Sequence, residues 1–170
     1  GTNGYELWKT DGTTTSMVAD IRAAGSSHPS HLTVFNNELY FQATDGTHGD
    51  ELWKTNGTTT SMVADIWPGN YGSSPAGLTV FNNELYFRAS DGTHGNELWK
   101  YDGTNSPTMV ANIALESSSC TYCSSEPSHL TVFNNELYFS ASDQIDGHEL
   151  WKTDGTSASL VADLNPNYGP

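Results

Sequence analysis

Basic residues are scarce: the 170-residue chain holds only 6 lysines and arginines against 20 aspartates and glutamates, a formal net charge of −14. A field of that sign repels nucleic-acid phosphates and anionic lipid, attracts divalent cations and favours solubility. Neither nucleic acid nor a membrane is therefore an expected partner. No run of about 18 apolar residues is present, so no helix is expected to cross a bilayer. The chain does not open on methionine and shows no secretory leader; its first residues already fall inside a repeat, and the expectation is a mature, excised or partial polypeptide. Cysteine is limited to Cys120 and Cys123. Nucleophile elbows and phosphate-binding glycine loops are missing, and no acid pair recurs from copy to copy, so an enzyme is not expected. Charged residues make up only 15%, and serine, threonine, asparagine and glycine supply the polar surface. That composition points to an extracellular or cell-surface protein.

What is abundant is repetition. Glu-Leu-Trp-Lys occurs at Glu6–Lys9, Glu51–Lys54, Glu97–Lys100 and Glu149–Lys152, with steps of 45, 46 and 52 residues. L-T-V-F-N-N-E-L-Y-F occurs at Leu32–Phe41, Leu78–Phe87 and Leu130–Phe139, and an M-V-A-D-I type at Met17–Ile21, Met62–Ile66, Met109–Ile113 and Leu160–Leu164. A period of about 46 residues marks a repeat architecture. Each unit reads as four short strands rich in β-branched and aromatic residues, exemplified by Leu78–Phe81, Glu84–Ala89, Glu97–Tyr101 and Met109–Ile113. Asn82-Asn83 suits a two-residue type I′ hairpin, because asparagine tolerates positive φ. The next two links begin Asp-Gly, in which Asp caps its own backbone and Gly takes the strained φ. The four strands of a unit are therefore predicted to form one antiparallel sheet. The link to the following unit is longer and variable, so the chain crosses between sheets there.

Strands with one wet face alternate apolar and polar residues. These do not: Leu85, Tyr86 and Phe87 are consecutive, as are Leu98 and Trp99. Both faces of each sheet should be covered. The predicted fold is all-β, a β-propeller-type array of four-stranded antiparallel blades. A β-sandwich, the second choice, gives no reason for the period. The boundaries are residues 1–25 as a half blade, then 26–71, 72–118 and 119–170, in one continuous repeat domain. Trp8, Trp53, Trp99 and Trp151 recur mid-strand and are expected to be packing anchors between blades, each burying about 150–250 Å2; an exposed sugar platform is the alternative.

The motif "ELWKTDGT" at Glu6–Thr13 and Glu149–Thr156 resembles that of the ELWxxDGT repeat proteins, with Asn56 in place of Asp in the second copy and Tyr101 preceding Asp102 in the third. The resemblance covers the whole chain. It implies a large secreted or surface-associated polypeptide with many tandem copies, and implies no catalytic activity. Four copies of the third and fourth strands stand against three of the first and second. A lone two-stranded sheet is marginal in water and its edge invites pairing. The expectation is that the natural polypeptide continues or that another chain covers the half blade; an open head-to-tail contact would build a filament.

In a propeller, the loops between second and third strands and the crossings share one face. That face would carry His28, His31, His48, His94, His129 and His148 with Trp67, Tyr71 and Tyr122; Trp67, Tyr71, His48, His94 and His148 form the candidate ligand face. Calcium, which takes about six to eight oxygens, has weak candidates in Asp45, Asp50, Asp91, Asp143 and Asp146, and Asp-Gly turn chemistry is the favoured explanation. Zinc through His48 and His94 would need the two loops to converge. A local disulfide between Cys120 and Cys123 is expected to staple the longer third crossing. Asn56-Gly57-Thr58 is a glycosylation sequon in an expected turn. The predicted function is a non-enzymatic extracellular structural or adhesive module, part of a larger surface protein or a filament, associating with adjoining repeats or with itself; a carbohydrate-binding propeller is the second reading. No cofactor other than possible calcium is expected.

Overall fold

The computed structural model describes residues 4–114, 123–145 and 147–163. Fourteen strands make four antiparallel sheets, and no helix occurs among the described residues. The first sheet pairs β1 (Leu7–Thr10) with β2 (Thr15–Ala19). The second runs β3 (Ser30–Phe35), β4 (Glu38–Thr44), β5 (Asp50–Thr55), β6 (Thr60–Ala64); the third β7 (Ala76–Phe81), β8 (Glu84–Ser90), β9 (Asn96–Tyr101), β10 (Thr108–Ala111); the fourth β11 (Ser128–Phe133), β12 (Glu136–Ser142), β13 (His148–Thr153), β14 (Ala158–Ala162). In each sheet spatial order follows chain order, as consecutive hairpins require. The chain forms two compact units, residues 1–75 and 76–170.

The turns obey the chemistry of their residues. Asn36 and Asn37 have φ of 47° and 62°, Asn82 and Asn83 48° and 59°, Asn134 and Asn135 47° and 61°, the positive-φ pairs of a type I′ hairpin. The other short turns are capped by their leading residue. Asp11 Oδ1 accepts the amides of Thr13 and Thr14, Asn56 Oδ1 those of Thr58 and Thr59, and Asp102 Oδ1 those of Thr104 and Asn105. Asn56 thus substitutes for Asp without loss of the cap, since only its carbonyl oxygen is used.

Strand limits differ from the sequence expectation at both ends of the sheet. The first strand starts earlier, at Ser30, Ala76 and Ser128, through a bulge whose second residue, His31, Gly77 or His129, has φ between 55° and 69°. The fourth strand stops at Ala111 rather than Ile113, because the Ile113 amide turns away to a glutamate.

In the unit of residues 1–75, Leu7 packs with Phe41 and Ala43, joined by Val18, Ile21, Leu39 and Trp53. In the unit of residues 76–170, Phe81, Tyr86 and Leu98 of the third sheet, with Ile113 just past it, meet Leu137, Phe139 and Ala141 of the fourth, with Val110, Leu130, Trp151 and Ala158 at the margin. The adjacent pairs Tyr40–Phe41 and Tyr86–Phe87 are fully buried on opposite faces of their strands, which explains the absence of alternation.

The four tryptophans are not equivalent. Trp53, Trp99 and Trp151 each lie opposite a phenylalanine of the neighbouring strand, Phe41, Phe87 and Phe139. Trp99 is buried; Trp53 and Trp151 are partly so. Trp8 is 55% exposed and is not the buried anchor expected of it. The reason is structural: among the described residues β1 pairs only with β2, so no phenylalanine of a paired strand lies beside Trp8, and Trp8 lies on the strand face opposite Leu7, away from the sheet that Leu7 packs against.

Candidate functional site

The first residue of the repeated phrase has a role that sequence reading missed. Glu6, Glu51 and Glu97 are buried and bind the chain where it crosses to the next sheet. Glu97 accepts from the Ile113 amide at 3.0 Å, the Ser125 amide at 3.1 Å and the Ser125 hydroxyl at 2.6 Å. Glu51 repeats this with Ile66, Ser73 N and Ser73 Oγ at 3.1, 2.9 and 2.5 Å, and Glu6 with Ile21, Ser27 N and Ser27 Oγ at 3.1, 3.0 and 2.5 Å. Burial raises the pKa of Glu51 and Glu97 above the ordinary glutamate value, against the lowering effect of these donors. The serine carbonyl completes the joint: Ser27 O accepts the Thr44 amide and Ser125 O the Ser142 amide. The signal was present in the sequence as Ser27-His28-Pro29, Ser73-Ser74-Pro75 and Ser125-Glu126-Pro127, a serine two residues before proline in every crossing.

The loops expected to share a face do meet within each unit. Ser74 N donates to Asp50 O, and Gly49 lies against the Tyr71 carbonyl. In the other unit, Asn96 N donates to Ser124 Oγ and Asn96 Nδ2 to Glu126, which also pairs with Arg88 at 3.0 Å. On the first of these loop clusters Trp67 stacks on Tyr71, ring centroids 5.2 Å apart and planes 18° apart, with Tyr71 61% exposed. His48 and His94 belong to different units and are each held by their own loop. His48 Nδ1 lies 2.7 Å from Asp45 and His94 Nδ1 2.8 Å from Asp91. His148 is exposed.

Asp45 is fully occupied by its loop: Oδ1 accepts the Thr47 and His48 amides and Oδ2 faces the His48 ring. Burial pushes its pKa up, but these donors outweigh it and hold it at about 2. Asp91 is arranged alike. Asp143 Oδ1 takes the Ile145 amide. Among the described residues no group of three or more potential metal ligands occurs. Asp146, Tyr122 and Cys120 lie outside the described residues; Cys123 is disulfide-bonded. Asn56 is exposed at its turn.

One further feature is a groove of about 400 Å3 in the unit of residues 1–75, beside an edge of β1 that is unpaired among the described residues. Leu7, Lys9, Leu32, Val34, Leu39 and Gly57 contribute to its walls. Leu32 and Val34 are 50% and 67% exposed. Lys9 Nζ donates to Gly57 O at 3.0 Å. In the three complete sheets the equivalent lysine is paired with a glutamate of the second strand: Lys54 with Glu38 at 2.9 Å, Lys100 with Glu84 at 3.1 Å, Lys152 with Glu136 at 2.8 Å. Among the described residues no carboxylate pairs with Lys9.

No family model and no curated protein matches the chain. Solved structures do. The apo AtxE2 isopeptidase is similar at 13% identity and a TM-score of 0.54, over 81% of this chain and 21% of that one. The computationally designed Ika8 protein is similar at 21% identity and a TM-score of 0.42, over 79% and 35%. An endo-arabinase from Bacteroides thetaiotaomicron VPI-5482 is similar at 17% identity and a TM-score of 0.37, over 79% and 50%. This chain spans half or less of each. The first likeness is one of fold alone, and the other two carry no argument at these TM-scores.

Proposed function

We propose that the chain is a non-enzymatic, extracellular structural or adhesive module of propeller-type blades, which works by joining adjoining repeats in a larger surface protein or a filament. The observation that carries this reading is the two-stranded sheet β1–β2, whose inner strand presents an edge unpaired among the described residues, beside an apolar groove. Unpaired strand edges recruit further strands unless they are blunted, and this one opens with Leu7 and Trp8. The buried glutamates support the same reading: Glu6, Glu51 and Glu97 use both carboxylate oxygens to fasten sheet to crossing. Electron microscopy and sedimentation of native material test the proposal. Extended or ring-shaped assemblies, or a polypeptide with further repeats beyond these, are the expected result; dispersed monomers of a native polypeptide of only 170 residues contradict it.

A second reading, a carbohydrate-binding propeller, is favoured by the Trp67–Tyr71 stack at the loop face. Exposed aromatic faces suit the apolar faces of sugar rings. A glycan array with Trp67→Ala as control separates the two: selective binding lost on substitution supports the lectin.

A further inference from the structure

The third and fourth sheets show what fills a groove of this kind. The walls around β1 and Gly57 have counterparts one for one in the unit of residues 76–170: Leu98, Lys100, Leu130, Val132, Leu137 and Gly155 stand where Leu7, Lys9, Leu32, Val34, Leu39 and Gly57 stand in the first unit. There the space is filled by the β7–β8 hairpin. Phe81 and Tyr86 are buried in one cluster with Leu98 and Leu137, against Leu130. Tyr86 Oη lies 2.6 Å from where a Cβ on Gly155 would stand, whereas a Cβ on Gly57 would meet nothing within 4 Å. Lys100 donates to Gly155 O at 3.0 Å, as Lys9 does to Gly57 O, and also to Glu84 of the hairpin. Filling the site accompanies burial: Leu137 is fully buried and Leu39 only half-buried; Leu130 is half-buried and Leu32 exposed.

We infer that the free edge of β1 and the groove beside it accept a β-hairpin of the L-T-V-F-N-N-E-L-Y-F type, carried by an adjoining repeat. The inference rests on reading the chain as a repeat module and names the partner of its open edge. The hairpin adds its second strand to β1 by main-chain hydrogen bonds, as β8 adds to β9 in the register Leu85↔Tyr101, Tyr86↔Lys100, Phe87↔Trp99. Its phenylalanine and tyrosine enter the groove, the residue after the tyrosine lies beside Trp8, and its glutamate supplies the carboxylate that Lys9 lacks. Charge, shape and register all specify this one occupant. A second copy of this chain does not supply it without opening one of its own sheets, since its three hairpins, β3–β4, β7–β8 and β11–β12, are paired already.

The test is titration of the full chain with a synthetic peptide of residues 77–90, GLTVFNNELYFRAS, by calorimetry, with hydrogen exchange at β1 as a second readout. Saturable one-to-one binding is expected, with new protection at those amides of Leu7–Thr10 that face away from β2. A Glu84→Lys peptide should bind roughly tenfold more weakly, and a Lys9→Glu chain should restore its binding. Because a free hairpin is marginal in water, the same segment is also tethered ahead of residue 4 by a flexible linker, where it should raise the unfolding temperature. Equal binding of both peptides to both chains, or neither binding nor stabilisation in the two formats, overturns the inference. So does a chain that dimerises through β1 and that the peptide does not dissociate. Failure here with native assemblies or further repeats present removes the hairpin as the occupant and leaves the module reading standing; dispersed native monomers of only 170 residues remove that reading.

Discussion

Ser125 Oγ donates to Glu97 at 2.6 Å across 28 residues of chain, and the same serine's amide donates to the other oxygen of that carboxylate. The pair fixes where the crossing leaves one sheet and enters the next. Ser125→Ala strands part of a buried acceptor and should lower the unfolding free energy by about 1–3 kcal/mol. The exposed Ser106→Ala should stay within about 0.5 kcal/mol of the parent. Urea midpoints of the two variants check this, and equal midpoints would remove the joint from the account.

The same buried glutamates set a pH dependence of known sign. Glu51 and Glu97 bind their protons more tightly folded than unfolded, because burial raises their pKa above the ordinary 4.5. Their contribution to stability therefore falls as pH rises from that value through the folded pKa. Asp45, held at about 2, and Asp91, also lowered, act oppositely: their stabilisation is present above the ordinary 3.8 and is lost as pH falls through the folded pKa. Carbon-13 titration should show the Glu51 and Glu97 carboxyls titrating above free glutamate and Asp45 below free aspartate. Both glutamates titrating below the free value would contradict the assignment.

His48 should titrate above the ordinary imidazole value of 6.5, because Asp45 accepts from its ring. Asp45→Asn removes that charge and should bring the His48 midpoint down. Proton NMR of the His48 ring resonances reads the change. An unchanged His48 midpoint in the variant would mean that the loop is not held as described.

Gly12 and Gly155 separate backbone strain from contact. Both have positive φ, 91° and 101°, so alanine is strained at either. Only at Gly155 does the added methyl meet Tyr86 Oη, itself bonded to Glu84. Gly155→Ala should therefore lower the unfolding temperature more than Gly12→Ala does, and differential calorimetry decides it. Equal losses would argue against the packing of Tyr86 over the turn.

Period and turn chemistry made most of the fold legible. Asn-Asn pairs specified hairpins, Asp-Gly specified capped turns, and runs such as Leu85-Tyr86-Phe87 announced strands buried on both faces. Strand ends were less legible because distant side chains decide them: β10 ends where Ile113 turns toward Glu97. The role of Glu in the repeated phrase was hidden for a similar reason. A buried carboxylate is costly alone and becomes tolerable only when a serine 22 or 28 residues away folds back onto it. Lys9 was illegible for the same reason, because its meaning depends on the glutamates that pair with Lys54, Lys100 and Lys152 in the complete sheets. Trp8 shows that a repeated position need not have a repeated environment.

The central claim, that β1 is the joining edge of a repeat module, is tested most directly by hydrogen exchange of Leu7–Thr10 in native material and in the isolated chain. The account predicts that the amides of this strand facing away from β2 are protected in native material to the level of β5 and exchange rapidly in the isolated chain, while those bonded to β2 are protected in both. Equally rapid exchange in both would contradict it.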